Sequence, residues 1–310
     1  MKKLTSLFIF TLFTLVLSLL TLTSCVNVNY VYDNPDSYHV GGATLTESID
    51  GLDIDWMSGE VRILLHDLST VVLAEESSGN IGEDHSLRYK ISDGRLTVKF
   101  AKSAVFNTGL PNKTLTVYLP RAAVLNELKI NTAAADATLL EVAARAVDFE
   151  SASGDITMEE CDVSASFDAE TASGDIALTN CRIKNEVSVD TASGSVSLGL
   201  LTTLATAEIS TASGNVSISA SEIKRLEAET ASGDICLSIS VAPESIEFES
   251  ASGNATLDLP SELNATLSFE TASGKSDVSL PHTTKDGKIV FGDGEALYEI
   301  ELVSGNLTVK

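Results

Sequence analysis

Carboxylates are the groups in this chain with the greatest capacity for chemistry. There are 44 acidic residues against 20 basic ones, a formal net charge of −24. Many recur at fixed intervals: Asp148 and Glu150, Asp168 and Glu170, Asp190, Glu208, Glu227 and Glu229, Glu247 and Glu249, then Glu270 fall one or three places before a repeated phrase, and Asp155, Asp175 and Asp234 fall inside it. Carboxylates stacked at a β-sheet spacing repel one another, and a calcium ion between them would relieve that repulsion. Calcium, however, takes six to eight oxygens at one point, and no loop here has the spacing of a known calcium motif. The preferred reading is a solvated acidic face that keeps the molecule soluble, with no cofactor and calcium as the lesser alternative. An outward ladder of Asp155, Asp175, Asp234, Glu150, Glu170, Glu229 and Glu249 is the candidate interaction surface, open to an unknown protein or glycan.

Other reactive groups are sparse. Cys161 and Cys181 occupy the same position in successive repeats, so stacking would bring their Cα atoms to about 5 Å, inside the range for a disulfide. A reduced, stacked pair is the alternative, and Cys236 has no partner at its position. The four histidines, His39, His66, His85 and His282, lie outside the regular repeats, and no HExxH, GxSxG, phosphate-binding loop or CxxC is present. Arg182, Lys184, Lys224 and Arg225 fall at turn positions and do not converge with the carboxylates as a glycan-cleaving site would need. A non-enzymatic protein is therefore expected, with a glycan-active enzyme the least favoured reading. The negative charge argues against nucleic acid as a partner.

The repeated phrase dictates what must position these groups. SASGD at 151–155 returns at 171, 191, 211, 230, 250 and 271 as TASGD, TASGS, TASGN, TASGD, SASGN and TASGK, in steps of 19 to 21 residues. Two and four places before each copy the residues are apolar (Phe167 and Ala169, Val187 and Val189, Ile246 and Phe248), which is a strand with one face buried. A second alternation, as in Ile176 and Leu178, starts afterwards in the opposite phase, so the phrase is a corner between strands. Weaker copies occur at TAAAD 132–136, SGEVRI 58–63 and SGNLTV 304–309. There Trp56 and Leu302 stand where the Thr or Ser opens the phrase, which predicts that this position points inward. Rungs of about twenty residues cannot bury an apolar face alone, and stacking them makes a continuous core. The expected fold is all-β: a single-chain β-solenoid with irregular N-terminal rungs over 46–125, regular repeats over 126–281 and capping strands over 282–310. VVLAE at 71–75, LRYKI at 87–91, LTVKF at 96–100 and TLTVYLP at 114–120 are strands of the irregular part, the middle two joined by an Asp-Gly turn.

Lys2 and Lys3 precede an uncharged run from Leu4 to Leu22 that ends in LTSC, the pattern of an export signal. It resembles the bacterial lipobox, which makes 1–24 a lipoprotein signal peptide and Cys25 the lipidated mature N-terminus. A cleaved secretory signal and an uncleaved anchor are the alternatives. Residues 25–45, with Asn34-Pro35 and Gly41-Gly42, are then a lipid-anchored tether, and the membrane is a partner through Cys25.

The series DIDWMSGEVRI, VVLAEE, LRYKISDGRLTVKF, TLTVYLP, the ladder of SGD corners and the final SGNLTV resembles the "putative adhesin" family of bacterial β-strand-repeat domains of unknown function, over about residues 47–310. That resemblance implies a β-solenoid and an envelope location, with no catalytic residues to carry over. The expected function is a cell-envelope lipoprotein, facing the cell surface or the periplasm, that presents the solenoid for adhesion to or binding of a surface polymer or protein. A regulatory or structural envelope protein that docks a membrane partner is the second reading.

Overall fold

The computed structural model describes residues 30–105 and 112–310. Over these the chain folds into 24 strands hydrogen-bonded in one continuous sheet that coils on itself. Successive rungs stack in parallel and in register: Ile156 lies beside Ile176, Ile176 beside Val196, Val196 beside Val216, Val216 beside Ile235, and Ile235 beside Ala255. The all-β solenoid is thus the observed architecture. In a typical rung, strand Asp162–Thr171 runs into a corner and continues as Ile176–Ile183. Phe167, Ala169 and Thr171 point into the core before the corner, Ile176 and Leu178 after it, and all five are buried. The change of phase follows from an even number of residues, four, between the last inward side chain of one strand and the first of the next. A second corner reverses the phase again through Glu141, Glu160 and Asn180, which hold left-handed φ of 59°, 54° and 54°. Val142, Cys161 and Cys181 are thereby brought inward.

The position that opens the phrase is buried in the repeats from Ser151 to Ser250, as are Trp56 and Leu302. Three of its small hydroxyl side chains find local partners: Thr132 donates to Ser151 Oγ at 2.9 Å, and Thr211 and Thr230 reach the carbonyls of Gly194 and Gly214 at 3.4 Å, whereas the buried hydroxyls of Thr171, Thr191 and Ser250 have none. The glycine three places on is there because the rungs approach closely. A Cβ built on Gly214 would lie 2.6 Å from the carbonyl carbon of Gly194 and closer still to its oxygen, and Gly174, Gly194, Gly233 and Gly253 meet the rung beneath in the same way. Ala135 is tolerated because the rung beneath it turns through Gly59 at φ +95°, a different corner path.

Both ends depart from simple stacking order. At the C-terminal end, the strands Ala296–Ser304 and Leu307–Val309 lie between the rung of 245–258 and the rung of 265–278, with Ile300 beside Phe248 on one side and Phe269 on the other. Of the segment 282–310, only the hairpin of Thr283–Lys285 and Lys288–Phe291 caps the stack, by antiparallel pairing with 265–267. The last rung is internal. Its inward and outward pattern matches that of its neighbours, so the pattern does not encode stacking order; Tyr298, buried with its hydroxyl donating to Pro243 O at 3.0 Å, fits it onto the 245–258 rung.

At the other end, Gly51–His66 stacks on Leu125–Leu140 and carries Arg95–Lys99 and Lys113–Pro120 on its outer side. These pair antiparallel with Arg88–Ser92 and Val71–Ser77, and His39–Val40 and Ala43–Leu45 form the outermost layer. The turn between Ser92 and Arg95 has positive φ at Asp93 (51°) and Gly94 (78°), the primed geometry that suits a two-residue hairpin. The segment expected as a tether is part of the fold from Tyr30 onward. Tyr30 is buried, donates to Asp55 O at 3.2 Å and accepts from Phe100 N at 2.9 Å. The apolar ring and two well-placed backbone partners outweigh the turn-rich composition of 30–45. Cys25 and the signal segment lie outside the described residues.

Candidate functional site

The first strand of each rung turns its alternate side chains outward, and parallel register lines them up. Asp148, Asp168 and Ser188 form one file and Glu150, Glu170 and Asp190 the next, both continuing through Glu208 and Ser210, Glu227 and Glu229, and Glu247 and Glu249. Because the C-terminal rung is intercalated, Glu299 and Glu301 extend the files before Ser268 and Glu270 end them. Along the array from Asp148 to Glu270 these two files contain acids and three serines, with no cation. Lys129 stands at the N-terminal head, 3.0 Å from Asp148 and 2.9 Å from Glu150. Burial works against its charge, but hydrogen bonds to Glu150 and Asp148 outweigh that and raise its pKa.

Stacking has an electrostatic consequence. Burial, followed by repulsion from Glu170, Asp168 and Glu208, pushes Asp190 up to about 6. Burial and repulsion from Glu249, Glu227 and Glu247 push Glu229 up to about 7. Asp168, Glu170, Glu247, Glu249 and Glu301 are raised for the same reasons. Each has a folded pKa above its unfolded value, so the folded chain binds more protons than the unfolded one across the interval between them. Stability should therefore rise as pH falls from about 7.5 towards 5, and the gain should level off near the unfolded carboxylate values. Thermal melting at constant ionic strength checks this: the midpoint should increase over that range and the increase should shrink in Glu229→Gln. A midpoint that is flat or falls over that range contradicts the stacked-carboxylate account.

Asp155, Asp175 and Asp234 belong to a different column, at the corner. All three are exposed, yet each carboxylate accepts a backbone N–H from the next rung: Asp175 N to Asp155 Oδ1 at 2.9 Å, Ser195 N to Asp175 Oδ1 at 2.7 Å, and Asn254 N to Asp234 Oδ1 at 2.7 Å. Asp136, Asn215, Asn254 and Asn306 do the same. The column is a hydrogen-bond ladder in which Asp and Asn are equivalent, since only the acceptor oxygen is used. Between it and the exposed hydroxyls of Ser153, Ser173 and Ser193 runs a polar groove of about 500 Å³ floored by glycine backbone. The seven-residue candidate ladder therefore divides into two: Glu150, Glu170, Glu229 and Glu249 on the flat face, and the three aspartates at the corner.

The model of the family described as Toastrack DUF4097 matches residues 49–310. The chain belongs to the Toastrack DUF4097 family. No curated protein matches it. Among solved structures, the Toastrack chain is similar to one titled a "putative lipid binding protein" from Parabacteroides distasonis, at 13% identity with a TM-score of 0.44, over 87% of this chain and 97% of that one. It is also similar to one titled a "putative adhesin" from Bacteroides fragilis, at 13% identity with a TM-score of 0.42, over 88% and 97%. A third is titled a "putative cell adhesion protein" from Clostridium sporogenes, at 9% identity with a TM-score of 0.25, over 88% and 99%.

The remaining candidates of the Toastrack chain sit apart from the acidic face. Cys161 and Cys181 are buried free thiols in adjacent rungs; interaction with the Cys181 thiol, followed by burial, pushes the Cys161 pKa up, and Cys161 Sγ lies 3.6 and 3.4 Å from the carbonyls of Leu139 and Glu159. Cys236 is exposed. His66 and His282 bond to backbone carbonyls of Thr70 and Leu280, at 2.6 and 2.8 Å. Arg182, Lys184 and Lys224 are exposed, while Arg225 is exposed two places before Glu227 on the same outward side of its strand, at the border of the acidic files. Among the described residues no group of three or more His, Cys, Asp or Glu is placed to hold a metal ion, and no helix is long and apolar enough to cross a membrane.

Proposed function

We propose that this Toastrack protein is a cell-envelope lipoprotein, anchored through Cys25, whose non-enzymatic solenoid displays its acidic face for adhesion to a surface polymer or protein. One observation carries the reading: outward carboxylates in register across successive rungs, about 4.8 Å apart, on a face whose spacing the backbone fixes. A rigid file of like charges suits a partner with repeated cations, since each added contact after the first is intramolecular and needs little further ordering. The raised carboxyl pKa values mean that an approaching cation meets groups whose ionisation it would itself promote.

The test uses the full-length protein in detergent, immobilised and offered a basic polyamine polymer, a neutral glycan and a basic envelope protein fraction, with and without calcium. The polyamine polymer should bind, release between about 0.05 and 0.5 M salt, and bind much more weakly to a Glu170→Gln/Glu229→Gln/Glu249→Gln variant. Polymer binding that ignores both salt and the triple substitution would show that the acidic face is not the contact.

A further inference from the structure

The anchoring through Cys25, on which this inference rests, determines more than attachment, because the fold begins so soon after it. Only residues 26–29 separate Cys25 from Tyr30. Five residue steps span at most about 18 Å. Tyr30 is a fixed point, 7% exposed and tied to Asp55 O and Phe100 N. The acyl chains of Cys25 would therefore enter a bilayer within about 18 Å of Tyr30, which is held beside the third and fourth strand layers from the N-terminal end of the rod, whatever path those residues take.

The surface at that end has the matching chemistry. Residues 39–45 form the outermost layer of the stack. Val31 is 67% exposed and Val40 42%. The Tyr32 and Tyr38 rings meet edge to face with centroids 5.0 Å apart, and Lys90 Nζ sits 4.7 Å over the Tyr38 ring. Tyrosine, exposed valine and a lysine with an apolar stem are residues that partition into the headgroup region of a bilayer. Asp33 and Asp36 are exposed on the same segment, so this end has charges of both signs. The files from Asp148 to Glu270 have acids and no cation, and an anionic lipid surface repels them. We propose that the N-terminal end of the solenoid lies against the lipid bilayer, with Val31, Val40, Tyr32 and Tyr38 in the headgroup region. The stack, on the order of 60 Å at ~4.8 Å per strand layer, then projects away from the membrane with its acidic face along the shaft.

The experiment reconstitutes the full-length lipidated protein into phosphatidylcholine–phosphatidylglycerol vesicles containing a headgroup spin-labelled lipid. A fluorophore is attached through Val40→Cys, Val31→Cys or Val303→Cys, each in a Cys236→Ser background; Val303 is 46% exposed near the opposite end. Labels at positions 31 and 40 should be quenched about twofold or more relative to the label at 303. Equal quenching at the three positions overturns the end-on contact. Fractionation of Cys25→Ala tests the anchor separately: release into the soluble fraction supports it, and retention with the membranes overturns the anchor, an outcome distinct from loss of the quenching difference.

Discussion

Replacing Gly214 by valine should cost about 3 kcal/mol or more, and lower the melting midpoint by roughly 6–12 °C for a domain of this size. Gly214 lies at the middle of the corner column, where its Cα faces the carbonyl of Gly194 below while its own carbonyl faces Gly233 above. A side chain there would lie 2.6 Å from the Gly194 carbonyl carbon and 3.2 Å from Ser195 N, contacts with backbone that cannot rotate aside. Relief requires lifting one rung from the next, which stretches the ladder bonds on either side, including Gly214 N to Ser232 O and Gly194 N to Ser213 O, both 3.1 Å. Gly82→Val is the control: a Cβ at Gly82 meets nothing within 4 Å and its φ is −74°. Urea denaturation of the two variants should separate them. Equal stabilities would mean that the rungs are not stacked at the spacing described.

The glycine column shows how much of this molecule can be deduced from its sequence. The period of the phrase, the phase change across it and the inward direction of Thr171 and Trp56 all follow from local alternation, and local alternation is what a repeat preserves. Features that depend on which rung lies next to which do not follow from it. The code of Ile246 and Phe248 is the code of Tyr298 and Ile300, so intercalation of the last rung leaves no mark in the pattern. Acidity alone groups the corner aspartates with the outward glutamates; the structure uses them as acceptors, a property that Asn215, Asn254 and Asn306 share and net charge does not reveal. Asn-Pro and Gly-Gly around Tyr30 give its segment the composition of a tether, while its partners, Asp55 and Phe100, lie 25 and 70 residues away.

Lys113 was the residue most hidden from sequence reasoning, and its replacement should be the most damaging in the N-terminal part. A lysine one place before TLTVYLP has the appearance of a solvated strand end. In the fold its side chain is fully buried, with Nζ 2.6 Å from Glu75 Oε1 and 2.8 Å from His85 O, donating also to Phe100 O. The ammonium lies 4.7 Å from the Trp56 ring centroid and 3.9 Å from that of Phe100, and these two rings meet edge to face at 4.9 Å. Burial pushes the lysine pKa down and Glu75 pulls it back, with the net shift downward. Glu75 in turn accepts Leu87 N–H at 3.1 Å, so one ion pair joins four segments of the end. Lys113→Ala removes one partner of a buried pair, leaves Glu75 uncompensated and empties the space beneath the two rings. A loss of about 3–5 kcal/mol is expected. Because Trp56 is the single tryptophan, its fluorescence in urea reports this end directly. Lys113→Met combined with Glu75→Gln should recover part of the loss, since the double variant keeps the lysine stem's packing and the acceptor for Leu87 while removing both charges. If Lys113→Met alone were as stable as the double variant, the unpaired Glu75 charge would not be the cost, and the lysine would contribute by packing alone.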